Sequence, residues 1–132
     1  MKKHTTKELV NAGYTIENAL ISSVDISMED YGCVVYKIVL KGGGWGCVFG
    51  GYCLDHGYLG ATDFDGSEFD GSEKGIESIA RIMDAVGVSR FNDMKGRYIR
   101  VATKGWGEPI KIIGNIVREK CFDSEAFFSD VN

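Results

Sequence analysis

The sequence predicts an α+β domain, an antiparallel sheet of about five strands packed with one main helix and short terminal helices. Two patterns carry this prediction: a β-branched run over residues 34–40 and an apolar stripe at helical spacing over residues 75–86. The chain has 18 Gly and one Pro, which favours tight β turns. At 132 residues it is long enough for one domain. We divide it into an N-terminal arm or short helix (1–13) and a single domain (14–132).

The first half of the chain predicts a three-stranded antiparallel meander. Thr5 and Glu8 have capping-box spacing at the start of a short helix, and Gly13 ends it. The elements that follow are a strand (14–27), a turn (28–32), a strand with the continuous apolar run (33–40), a Gly turn (42–44) and a partner strand (45–54).

The second half predicts the main helix and two more strands. A long polar loop (55–72) precedes a helix that Ser72 caps and Gly87 ends. The apolar stripe of this helix, which we expect in the core, consists of Ile76, Ile79, Ala80, Met83 and Val86. The later elements are a helical turn (89–95), strands (97–103 and 110–119) and a short helix (122–128) with Asp123 as its cap. In the last strand Arg118 shares a face with Ile112, Gly114 and Ile116. Because this face is apolar, we expect the Arg118 side chain to extend out of the core at the end of the sheet.

Charge and cysteine usage narrow the classes of protein. A net charge of −4 argues against salt-driven binding of polymeric nucleic acid, although a local pair of Arg can still hold a small anion. No apolar stretch approaches the length of a membrane span or signal peptide, so we expect a cytoplasmic protein. We interpret the four Cys as reduced and packed, with Cys47 and Cys53 on one face of a strand; a disulfide or a metal is the alternative.

Residues 42–53 combine six Gly with the aromatic residues Trp45, Phe49 and Tyr52, and contain no charged residue or His. Bare backbone beside aromatic faces suits close contact with a ligand or another chain more than chemistry. No catalytic motif or dinucleotide fingerprint is present. The protein is therefore expected not to be an enzyme and to use no cofactor.

Metal binding is also not expected. His4 and His56 are the two His, and neither has metal-ligand spacing to a second His or Cys. The acidic repeat at 64–73 resembles a calcium loop in part, but its best alignment places Gly66 where the first carboxylate belongs. A solvated loop with Asp-Gly turns is the better interpretation.

Arg side chains collect in the second half of the chain, at Arg81, Arg90, Arg97, Arg100 and Arg118. They serve either as ordinary surface ion pairs or as a bidentate phosphate clamp beside an aromatic ring. Phe91, in a polar segment, is correspondingly either a core plug or an exposed stacking platform.

Several segments together resemble the phage Thoeris anti-defence proteins of the first described type. They are 16–20 (IENAL), 43–46 (GGWG), 50–52 (GGY), Gly75 with 82–83 (IM), 87–88 (GV), 105–107 (GWG) and 113–115 (IGN), within residues 14–128. The resemblance implies a protein that binds and sequesters cyclic ADP-ribose isomers made by bacterial TIR-domain enzymes, without cleaving them. It also implies a second ligand class, cyclic oligonucleotides, and assembly through homodimers into a hexamer.

The resemblance further implies a pocket with an aromatic ring, an Asn and Arg side chains. Phe91 matches the ring and Arg118 matches one Arg, with Arg100 or Arg90 beside it at a pyrophosphate. Asn92 and Asn115 are alternatives for the Asn. Trp45 is a further aromatic candidate. The Gly-rich residues 42–53 around it either allow close packing within the chain or let a neighbouring protomer approach and complete the pocket.

Two other functions stay open at this point. An acidic protein-binding inhibitor of a defence nuclease would use residues 63–73 to mimic nucleic acid. An enzyme would degrade the signal instead of holding it.

Overall fold

The computed structural model describes residues 4–28, 33–55, 71–105 and 107–129. Its elements are α1 (Thr6–Asn11), β1 (Thr15–Ser27), β2 (Val35–Gly42), β3 (Trp45–Cys53), α2 (Glu73–Val86), a 3-10 helix (Phe91–Met94), β4 (Tyr98–Thr103), β5 (Ile112–Gly114), β6 (Cys121–Asp123) and α3 (Ser124–Ser129). The predicted α+β class is confirmed. The described residues do not include 29–32, 56–70 or Trp106. The range 56–70 contains His56 and most of the acidic repeat.

The sheet is antiparallel, with strand order β3-β2-β1-β4-β5-β6. The predicted meander of β1, β2 and β3 is confirmed. The described sheet has one strand more than expected, because the strand predicted over 110–119 was wrong. Strand β5 ends at Gly114, the chain turns, and β6 pairs back onto β5 with Cys121 opposite Gly114. Arg118 consequently lies in a turn and not on a strand face.

Helix α2 covers one face of the sheet, where most of the core lies. Ile38, Phe49, Ile82, Ile99 and Phe122 are all buried there. The predicted helix ends are confirmed: the Ser72 hydroxyl accepts from the Gly75 amide at 3.0 Å, and Gly87 ends the helix with φ +95°.

The predicted core stripe of α2 was wrong in part. Ile76 is 58 % exposed, and the buried positions are Gly75, Ser78, Ile82, Ala85 and Val86. The helix is rotated because Gly75 approaches the end of β3 closely: a Cβ there would lie 2.5 Å from the Cys53 carbonyl oxygen. Ser78 then reaches the buried hydroxyl of Tyr36, at 2.8 Å. The close backbone contact at Gly75, more than the apolar pattern, therefore determines which face of α2 is buried.

Helix α1 lies on the opposite face of the sheet. Its predicted capping box is present, with the Thr5 hydroxyl accepting from the Glu8 amide. Leu9 packs against Ala102 and Ile112 in a second, smaller core. An N-terminal segment is thus tied to β4 and β5.

The prediction that all four Cys are reduced was wrong. Cys33 and Cys53 form a disulfide, while Cys47 and Cys121 are free thiols. A register irregularity late in β3 places Cys53 opposite Val35, whereas Cys47 lies opposite Leu40. Val35 and Leu40 point to opposite faces of β2, so Cys47 and Cys53 do not share a face.

No helix in the described part of the chain is long and apolar enough to cross a membrane.

Candidate functional site

Asn115 organises the turn between β5 and β6. Its side chain is buried, and its amide nitrogen donates to the Val86 carbonyl at the end of α2, at 3.1 Å. Its side-chain oxygen accepts from the backbone amides of Val117 and Arg118, at 3.0 and 2.9 Å. Asn115 thereby fixes the turn to helix α2 with every polar group of its side chain in use within the fold.

Arg100, on β4, holds the same turn from the other side. Its Nε donates to the Asn115 carbonyl and its Nη2 to the Arg118 carbonyl, both at 2.7 Å. Its Nη1 donates to the Thr6 hydroxyl at 3.2 Å. All three guanidinium nitrogens therefore have acceptors within the chain, so Arg100 holds the turn.

A groove with a volume of about 520 Å³ opens where this turn meets the end of α2 and the start of β4. This volume lies within the range of small-molecule sites. The described residues that line it are Asp84, Val86, Gly87, Gly96, Arg97, Tyr98, Asn115, Ile116, Val117, Arg118 and Lys120.

The charge of the groove is mainly positive. Among the described lining residues, Arg97, Arg118 and Lys120 are cations and Asp84 is the one carboxylate, which Lys120 contacts at 3.2 Å. Among the described residues, the guanidinium groups of Arg97 and Arg118 have no hydrogen bond or ion pair. Two uncompensated guanidinium groups at one groove form a site for an anion with several oxygens, because each can bind phosphate oxygens in bidentate fashion.

The groove also has an exposed apolar and aromatic part. Tyr98 is 60 % exposed and Val117 is 77 % exposed. An accessible aromatic ring can stack on a flat heterocycle. The groove thus offers two kinds of contact, to a charged group and to a ring.

The sequence-predicted site residues separate into two groups. Arg118 and Asn115 line the groove, with Arg100 behind the turn. The others, Phe91, Asn92, Arg90 and Trp45, do not line it.

Phe91 belongs to the 3-10 helix and is half-buried against the main core, which favours the core plug over the stacking platform. Arg90 and Asn92, on either side of it, are exposed. Trp45 also packs against the core, and its indole nitrogen donates to Glu17 at 3.3 Å. Tyr98, and not Phe91 or Trp45, is among the residues that line the groove.

Sequence reasoning did not select Tyr98 or Arg97 for the site. A usable signal for Tyr98 was present, since the buried Ile99 and Val101 alternate with it along β4 and place it on the opposite face. The closeness of Arg97 to Arg118 had no local signal, because it depends on the turn that follows β5.

No group of three or more His, Cys, Asp or Glu in the described ranges is arranged to hold a metal ion. No protein-family model matches the chain, and no curated protein or solved structure matches it. We therefore base the function on the residues of the groove.

Proposed function

We propose that the protein binds a cyclic nucleotide signal and sequesters it without cleaving it, as the phage Thoeris anti-defence proteins that it resembles do. One observation carries the proposal: Arg97 and Arg118, neither paired within the described chain, line the same groove as the exposed residue Tyr98. Cyclic ADP-ribose isomers combine the matching groups, a pyrophosphate and an adenine.

The binding mode follows from the chemistry of the lining. Arg97 and Arg118 bind the pyrophosphate oxygens, and the adenine stacks on Tyr98. Asp84 accepts from a ribose hydroxyl with the carboxylate oxygen that Lys120 does not contact. Sequestration fits this lining better than hydrolysis, since the described residues supply one carboxylate, Asp84, and Lys120 donates to it.

The biological setting is part of the proposal. The protein acts in the cytoplasm of an infected bacterial cell, as a homo-oligomer assembled from dimers into a hexamer. Cyclic ADP-ribose isomers are its main ligands, and cyclic oligonucleotides are a second class. Binding removes the signal before it reaches the defence effector.

Calorimetric titration tests this proposal with cyclic ADP-ribose, its isomers and cyclic oligonucleotides as ligands. We expect a dissociation constant in the nanomolar range for one of them, about −12 kcal/mol. Arg118→Ala, Arg97→Ala and Tyr98→Ala should each weaken binding by roughly tenfold or more. Thermal melting of each variant shows that it is folded.

Two further variants serve as controls. Lys7→Ala removes one positive charge from exposed residues of α1 and should bind as the wild type does. Arg90→Ala tests the alternative site at the 3-10 helix and should also bind normally. A loss of binding in Arg90→Ala together with normal binding in Arg118→Ala would place the ligand elsewhere than in the groove.

A further inference from the structure

Helix α1 contacts the groove-forming turn from the face of the sheet opposite α2. The backbone amide and the hydroxyl of Thr6 both donate to Oε2 of Glu119, at 3.0 and 2.9 Å. Glu119 follows Arg118 directly in the chain. A residue in the first turn of α1 is thus bonded to the neighbour of a proposed ligand-binding side chain.

A second connection passes through Arg100. The guanidinium that donates to the Thr6 hydroxyl also donates to the carbonyl groups of Asn115 and Arg118. Thr6 therefore contacts the turn by two routes, directly through Glu119 and indirectly through Arg100. None of Thr6, Arg100 and Glu119 lines the groove.

Little empty space separates α1 from the turn. The cavity between them, lined by Thr6, Leu9, Arg100 and Glu119 among others, has a volume of about 20 Å³. This is about the space that one water molecule needs. Helix α1 and the turn are therefore close together on this side of the sheet.

Helix α1 is also the kind of element whose docking can shift. It has six residues, too few to form a stable helix by itself, so its order depends on its contacts with the sheet. Those contacts include the buried Leu9, the bond between His4 and Asp123 at 3.0 Å, and the two connections through Thr6. The hydrogen bonds to Glu119 lower the pKa of that carboxyl, which agrees with its role as an acceptor.

We propose that Thr6, Arg100 and Glu119 are positioning residues, through which docking of α1 and binding of the ligand stabilise each other. The inference rests on the proposed function for its ligand. Docked α1 holds the turn backbone, so Arg118 and Val117 enter the groove in one arrangement. By linkage, a ligand that binds Arg118 stabilises the docked helix to the same degree.

Thr6→Val tests this with little change of shape, because it removes the hydroxyl that bonds both Glu119 and Arg100. Amide hydrogen exchange is measured first, without ligand, at Val117 and Arg118, whose amides donate to Asn115. We expect exchange at least tenfold faster in Thr6→Val and unchanged in Thr6→Ser, which keeps the hydroxyl. Thr103→Val is the matched control, since among the described residues the hydroxyl of Thr103 bonds only with the backbone of Gly105.

Affinity for cyclic ADP-ribose is measured next on the same variants. We expect a three- to tenfold loss in Thr6→Val with a nearly unchanged melting temperature, recovery in Thr6→Ser and no change in Thr103→Val. In the wild type, the ligand should slow exchange at Leu9 and Ala12, whose amides bond within α1. A purely structural role of Thr6 would instead lower the melting temperature and leave the affinity of the folded protein unchanged.

The outcomes separate the two proposals. Unchanged exchange at Val117 and Arg118 in Thr6→Val overturns the inference, whatever the ligand result. Faster exchange with wild-type affinity overturns the positioning role. If the wild type binds no cyclic nucleotide, the proposed function fails, and the ligand-free exchange experiment still decides whether α1 holds the turn.

Discussion

The guanidinium of Arg100 donates from Nε to the backbone carbonyl of Asn115 at 2.7 Å, which joins β4 to the turn after β5. Arg100 was a candidate for contacting the ligand, and the structure uses it to hold the residue that begins the turn. The cations available at the groove are Arg97 and Arg118, and Arg100 also binds the carbonyl of Arg118. Arg100 therefore shapes the site, and Arg97 and Arg118 are free to bind an anion.

Asn115→Ala should lower the free energy of unfolding by about 2 kcal/mol. The substitution removes the donor to the Val86 carbonyl and the acceptor for two amides of the turn. Urea denaturation measures the loss. Asn92→Ala is the control, because Asn92 is exposed and its substitution should stay within about 0.5 kcal/mol. Equal stability of the two variants would contradict the role given to Asn115.

Gly75→Ala should destabilise the protein by about 1–3 kcal/mol, although Ala is the better helix former. A Cβ at this position would lie 2.5 Å from the Cys53 carbonyl oxygen and 2.9 Å from the Leu54 Cα. Both are backbone atoms of consecutive residues at the end of β3, which cannot move away easily. Thermal melting compares it with Gly43→Ala, where a Cβ meets nothing within 4 Å. A rise in melting temperature for Gly75→Ala would show that α2 does not pack as described.

Stability should depend on acid pH through Glu119. Hydrogen bonds from the amide and hydroxyl of Thr6 lower the pKa of this carboxyl below its ordinary value of 4.5. A lowered folded-state pKa means that the contribution is present above that ordinary value and is lost as the pH falls through the folded-state pKa. The melting temperature of the wild type should therefore fall more than that of Glu119→Gln between about pH 5 and about pH 2. It is measured at intervals of about half a pH unit. Parallel curves for the two proteins would contradict the contact with Thr6.

The Cys33–Cys53 disulfide should stabilise the chain by about 3 kcal/mol, because it closes a loop between residues 20 positions apart. Dithiothreitol should lower the melting temperature of the wild type and of Cys47→Ala, and leave a Cys33→Ser/Cys53→Ser double variant unchanged. Disulfides are rare in the cytoplasm. The cytoplasmic proposal therefore also requires ligand binding to persist in the double variant.

The sequence predicted those elements whose causes are local. The capping box of Thr5 and Glu8, the Ser72 cap and the Gly87 end of α2 each depend on residues a few positions apart, and all are present. The end of β5 was not predictable in this way. Asn115 leaves the strand to bond Val86, which lies 29 residues away in the sequence.

The sequence predicted some of the residues that line the groove but not how they come together. Arg118 and Asn115 were selected, but Tyr98 joins them through the pairing of β4 with β5 and the turn beyond it. The disulfide was not predicted for a similar reason, since a register irregularity in β3 places Cys53 on the opposite face of the strand from Cys47. Even spacing predicts a shared face only where the strand is regular.

A bind-and-release assay tests the central claim of sequestration most directly. The protein is incubated with cyclic ADP-ribose isomers until free ligand is depleted, then heat-denatured, and the released small molecules are identified by mass spectrometry. We predict that the wild type depletes the signal and returns it intact, and that Arg118→Ala leaves it in solution throughout. Release of a cleaved product, or no depletion by the wild type, would contradict the claim.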